Sequence, residues 1–99
     1  MEAKLEKSNR PHKKWMITLS PNQNKSVRLY FGTVGLQSYV DHHDLKKKVA
    51  YLKLHYPKND FGEEGIFTPR FWDRWLLWSK PSIPMAKKVI SDKFKVSFQ

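Results

Sequence analysis

The sequence predicts a small single α+β domain: a β-hairpin, two main helices, a shorter third helix and a C-terminal edge strand. Three observations point there. Residues 14–20 and 26–31 alternate apolar with polar side chains on either side of a turn rich in proline and asparagine, the pattern of a hairpin with one buried face. Residues 42–56 and 69–80 carry apolar side chains at helical spacing, and each run meets a proline, at Pro57 and Pro81. A length of 99 residues bounds the chain to one domain with a small core.

Residues 1–12 are polar, with Leu5 the one large aliphatic side chain after Met1, and Pro11 discourages a helix into the next segment. They are expected to form a flexible basic arm, leaving residues 13–99 as the compact domain. In the first strand Trp15, Ile17 and Leu19 alternate with Lys14, Met16 and Thr18. The turn SPNQNK follows. In the second strand Val27, Leu29 and Phe31 point one way, and Ser26, Arg28 and Tyr30 the other. The outer face then shows Lys14, Arg28 and Tyr30. That face suits a nucleic-acid strand held by charge and stacking, and equally an ordinary solvated face with an amphipathic tyrosine. The loop GTVG, residues 32–35, lacks the Lys-Ser/Thr that a phosphate loop requires.

Asp41 is expected to cap the next helix, with Asp44 in its positive first turn. This helix should run over residues 42–56, burying Leu45, Val49, Leu52 and Tyr56. Lys46, Lys47, Lys48 and Lys53, with His55, spread over the remainder. Asp60, Glu63 and Glu64 then give a polar loop, whose Phe61 should fold back on the aromatic segment.

That segment is GIFTPRFWDRWLLWSKPSIP, residues 65–84, with three of the four tryptophans. Thr68 suits the N-cap and Pro69 the first helical position, where a missing N–H costs nothing. Phe71, Trp75 and Trp78 share one face, with Trp72 and Leu76 beside it. The helix reads as the centre of the core, with Trp75 inside and Trp72 at its edge. The other reading is that three indoles exceed what so small a domain can bury, so that a partner covers the excess. Ser82 caps a last helix starting near Pro84, with Met85, Ala86, Val89 and Ile90 inward and Lys87, Lys88 and Asp92 outward. Residues 94–98 alternate as a strand beside the hairpin edge.

Nineteen Lys and Arg against nine acids give a net charge of +10, which favours a polyanionic partner. The absence of cysteine removes disulfide and thiolate chemistry. No apolar run approaches a membrane span, and the first residues lack the apolar segment of a secretory signal. His42 and His43 are adjacent and diverge on a helix. Nothing matches a compact zinc spacing, and a site from Asp41, His42 and His55 is geometrically possible but only weakly implied. No serine sits in a nucleophile elbow. No catalytic residue, cofactor or metal is therefore assigned, and the chain is not expected to be an enzyme.

The sequence also resembles a family of short, basic, uncharacterised proteins of large double-stranded DNA viruses. The residues that carry the resemblance are Tyr30, Phe31 and Gly32, residues 39–44, the basic segment 46–51 and His55, and above all residues 65–72, 74–78 and 80–82. It covers about residues 14–90. Consecutive Lys47 and Lys48 stand where a closely matching arginine and lysine pair is expected, keeping charge but losing a guanidinium fork. The resemblance implies a viral origin, a place inside an infected host cell or packaged in the virion, and a structural or packaging role rather than catalysis.

Together these give the functional expectation of a nucleic-acid-binding or genome-packaging protein, DNA first, with phosphate contacts and no base reading. Lys46, Lys47, Lys48 and Lys53 are the main candidates, extended by Lys13, Lys14, Arg28, Lys87 and Lys88. The alternative is a structural virion or capsid-assembly protein that docks on virion proteins through its aromatic helix.

Overall fold

Alternation builds the sheet, and it begins earlier than expected. A computed structural model describes residues 1–55 and 61–99. The expected helix end at Tyr56 and Pro57, and Asp60 of the acidic loop, lie outside the described residues. Strands β1 (Glu2–Lys7), β2 (Lys13–Asn22) and β3 (Lys25–Thr33) form an antiparallel meander. Strand β4 (Ser97–Phe98) pairs parallel with β1, giving the order β3-β2-β1-β4. The register sets Ala3 beside Leu19, Leu5 beside Ile17, Ile17 beside Leu29 and Trp15 beside Phe31, so one face is apolar throughout.

Two expectations are corrected here. Residues 1–12 do not make an arm: Glu2–Lys7 lies inside the sheet, flanked by β2 and β4. Its alternation is sparse, but β2 pairs with all six of its residues and β4 with Glu2 and Ala3, which sets buried Ala3 and half-buried Leu5 on the core face. The C-terminal residues form an edge strand, but beside β1 rather than the hairpin. Ser97 N–H donates to Met1 O at 2.9 Å and Gln99 N–H to Ala3 O at 2.8 Å.

Helix α1 (Tyr39–His42) starts at Ser38, whose N–H and hydroxyl both donate to Asp41 Oδ2, at 2.8 and 3.1 Å. His43 takes a left-handed conformation (φ 56°) and ends it. Asp44, not Asp41, then caps helix α2 (Leu45–His55): its Oδ1 accepts from Lys46 N–H at 2.9 Å and Lys47 N–H at 3.2 Å. The break at His43 divides the expected single helix and takes Asp41 out of reach of α2.

Helix α3 (Pro69–Trp72) starts as the sequence predicts. Thr68 Oγ1 accepts from Phe71 N–H at 3.4 Å, and Pro69 opens the helix. It continues as a π-turn over Asp73–Leu77. The wider turn holds an extra residue, so every side chain after Asp73 falls behind the α-helical phase. Leu76 and Leu77 therefore enter the core with Phe71 and Trp72, while Trp75 and Trp78 are half-buried. This reverses the expected order of Trp72 and Trp75. Trp72 Nε1 donates to Ile66 O and Trp75 Nε1 to Phe61 O, each at 2.8 Å. Phe61 thus does fold back on this segment.

Helix α4 (Ile83–Phe94) is capped by Ser82, whose Oγ accepts from Met85 N–H at 3.4 Å. Ala86 and Ile90 are buried, while Met85, expected inside, is exposed one residue ahead of the buried line. Phe94 packs edge-on against Phe71 at 4.8 Å and Trp75 at 5.2 Å. The core fills the space between the apolar sheet face and the layer of α3, its π-turn and α4. The fold class is the predicted one, a small α+β domain.

Candidate functional site

The face that α2 turns inward is polar. Lys48, Tyr51 and His55, spaced three and four apart, share it. The Tyr51 ring stacks on Trp78 at 4.2 Å, nearly parallel, and its hydroxyl donates to Asp73 Oδ2 at 2.7 Å. His55 lies 4.4 Å from the Tyr51 ring. Lys48 Nζ donates to Ser79 O at 2.8 Å and sits 5.0 Å from the centre of the Tyr39 ring. These partners decide which way the helix faces. Its expected buried stripe is left on the flank: Leu45 is 61% exposed and Val49 44%, Leu52 is half-buried, and no α2 residue is fully buried. The fourth stripe residue, Tyr56, lies outside the described residues.

Burial dominates the electrostatics of this junction. It pushes the Asp73 carboxyl above its usual range, against the Tyr51 bond and nearby His55, Lys13 and Lys14. It raises Tyr51 too, and Asp73 adds to that rise. Lys48 is lowered, by burial first and then by Arg74 and Lys80. Asp41 behaves oppositely: burial pushes it up, but the Ser38 N–H, Lys14 and the Ser38 hydroxyl outweigh that and hold it below its usual range.

The nine expected phosphate contacts are scattered. Lys46 and Lys53 are exposed and seven residues apart, so they share one flank of α2; Lys47, also exposed, lies farther round. Lys48 does not join them, because Ser79 and Tyr39 engage it. Lys14 donates to the Leu36 carbonyl and pairs with Asp41 at 3.4 Å. Lys13 is exposed beside a cleft of about 420 Å³ between the end of β3, α2 and α3. Arg28 stands on the outer sheet face near Glu2, Lys4 and Glu6, so that face has mixed charge. Tyr30 already carries the Arg10 guanidinium 3.9 Å from its ring centre. Lys87 Nζ lies 5.4 Å from the Phe98 ring centre, and Lys88 is exposed on α4.

Reading the sequence missed the Tyr51–Asp73 junction. The spacing of Lys48, Tyr51 and His55 marks a shared face, but nothing in the pattern names Asp73 as its partner. Among the described residues no three His, Cys, Asp or Glu are placed to hold a metal ion. No helix among them is long and apolar enough to cross a membrane.

The model of one protein family, described as a family of unknown function (DUF5754), matches residues 3–55. That span runs from β1 to the last residue of α2. No curated protein and no solved structure matches the chain.

Proposed function

The chain belongs to the DUF5754 family, and from the surface borne by its matched segment we propose a non-catalytic docking protein, which holds an acidic protein partner against the apolar flank of α2. The observation behind this is the exposure of Leu45 and Val49 on a helix with no fully buried residue. A helix of this size ordinarily covers its apolar stripe with its own domain. Here polar and aromatic contacts fix the helix and leave the stripe for another molecule. Lys46 and Lys53 rim it, and with a net charge of +10 they favour an acidic surface. The resemblance to small basic viral proteins supports a place in particle assembly. The docking role falls to α2 rather than to the aromatic helix, because Phe71 and Trp72 are consumed by the core. Nucleic-acid binding through the nine cations has less support: Lys14 and Lys48 are engaged within the fold, and Arg28 has carboxylates nearby.

The test is a binding titration with two labelled probes at two salt concentrations. One is an amphipathic peptide with a leucine face flanked by glutamates; the other is a short DNA duplex. The wild type should bind the peptide. The exposed double change Leu45→Ser with Val49→Ser should weaken it by about tenfold or more without altering melting. Tighter binding of the duplex than of the peptide, indifferent to that change, would overturn the reading in favour of nucleic acid.

A further inference from the structure

The outer edge of β3 offers a second surface, which does not depend on the α2 flank. This strand ends the sheet on one side and runs for nine residues without proline. Among the described residues no strand pairs with its outer edge, and the one loop contact is the turn bond from Leu36 N–H to Thr33 O, at 3.2 Å, on its last residue; on the opposite side of the sheet β4 has only two residues, paired with Glu2 and Ala3 of β1. Alternate N–H and C=O groups of an edge strand point outward and can template another strand. Beside the C-terminal half of β3 lies the cleft of about 420 Å³, with Tyr30, Gly32 and Thr33 on the strand side and His55 and Pro69 on the helical side. A free strand edge facing a helical wall is a groove shaped for an extended peptide, which bonds through its backbone and lodges alternate side chains against the wall.

Charge identifies that peptide. Lys25 is exposed at the start of β3, and Lys13 lines the cleft beside its other end. The carboxylate at the cleft, Asp73, is already bonded to Tyr51. We propose that β3 captures an extended acidic segment of a partner protein as a fifth strand, with one of its carboxylates meeting Lys13 in the cleft.

The test uses the full chain and a labelled peptide alternating glutamate and valine. The expected result is saturable binding, amide shift changes along residues 25–33, and weakening as salt rises. N-methylation that removes the peptide's backbone donors should abolish binding. Lys13→Gln should weaken it several-fold with unchanged melting, and Leu45→Ser with Val49→Ser should leave it intact, which separates this site from the α2 flank. Equal binding of the N-methylated peptide, shift changes confined to α2, failure to saturate, or displacement of the peptide by a short DNA duplex at equal charge would each overturn the proposal.

Discussion

Replacing Trp72 with alanine probes the π-turn and the core together. Trp72 is fully buried, meets Phe71 edge-on at 4.9 Å and Phe98 at 6.3 Å, and donates to the Ile66 carbonyl. Truncating a buried tryptophan costs roughly 3–5 kcal/mol through lost transfer energy and the cavity left behind. Leaving a buried carbonyl without its donor costs about 1–3 kcal/mol more. Domains of this size have a total stability of about 5–15 kcal/mol, so this variant should sit near the edge of unfolding. A loss of about 4 kcal/mol, the lower end of that sum, lowers the melting temperature by roughly 16–32 °C. Trp75→Ala should cost about half as much, because that indole is half-buried and already meets water in the native state. Thermal and urea unfolding followed by far-ultraviolet circular dichroism compares the two. If Trp75→Ala costs as much as Trp72→Ala or more, the helix has the uninterrupted α-helical phase and the π-turn account is refuted.

Two further predictions concern the junction of α2 with the core. Because burial raises Asp73 above its ordinary 3.8, the folded protein keeps that proton to higher pH than the unfolded chain. Its stabilising contribution is fully present below 3.8 and is lost as pH rises through the raised folded value, so the wild type should lose ground to Asp73→Asn over that window. Urea midpoints measured across pH check this, and a gap moving the other way would show that the Tyr51 bond outweighs burial. Tyr51→Phe should cost roughly 1–3 kcal/mol by leaving the Asp73 carboxylate without its donor. Amide hydrogen exchange should show the loss of protection concentrated in α2 rather than α4, and a uniform loss would contradict the view of α2 as a locally secured element.

Features written in neighbouring residues were legible. Thr68 before Pro69, Ser82 before Pro84, and the alternation of the hairpin each fix local structure with short-range chemistry, and each appears in the fold. What failed depends on partners far along the chain. The segment EAKLEK has only Ala3 and Leu5 as apolar signal, and it becomes a strand because β2 and β4 both pair with it. The π-turn leaves no mark in composition, yet it exchanges the roles of Trp72 and Trp75. For α2 the stripe of Leu45, Val49 and Leu52 was real as a pattern, but Asp73, Trp78 and Ser79 attract the neighbouring face of Lys48 and Tyr51 more strongly. The expected lysine surface is thinned for a similar reason: Lys14 and Lys48 find acceptors inside the fold, which a count of charges does not reveal, while Lys46, Lys47 and Lys53 stay exposed.

The parallel seam between β1 and β4 has a consequence for how the chain reaches this fold. It joins Glu2 and Ala3 to Ser97 and Phe98, so the first strand is made early and waits for residues near the far end of the sequence before the start of its second flank is covered. Contacts at such separation form late, because closing a long loop costs entropy before the contact rewards it. The hairpin, closed by the two residues between β2 and β3, is the economical starting point, and the seam is the last stitch. Until it forms, β1 is a bare edge. A chain shortened before residue 97 would leave Glu2 and Ala3 bare as well, lengthening the open flank of β1 into a template for aggregation.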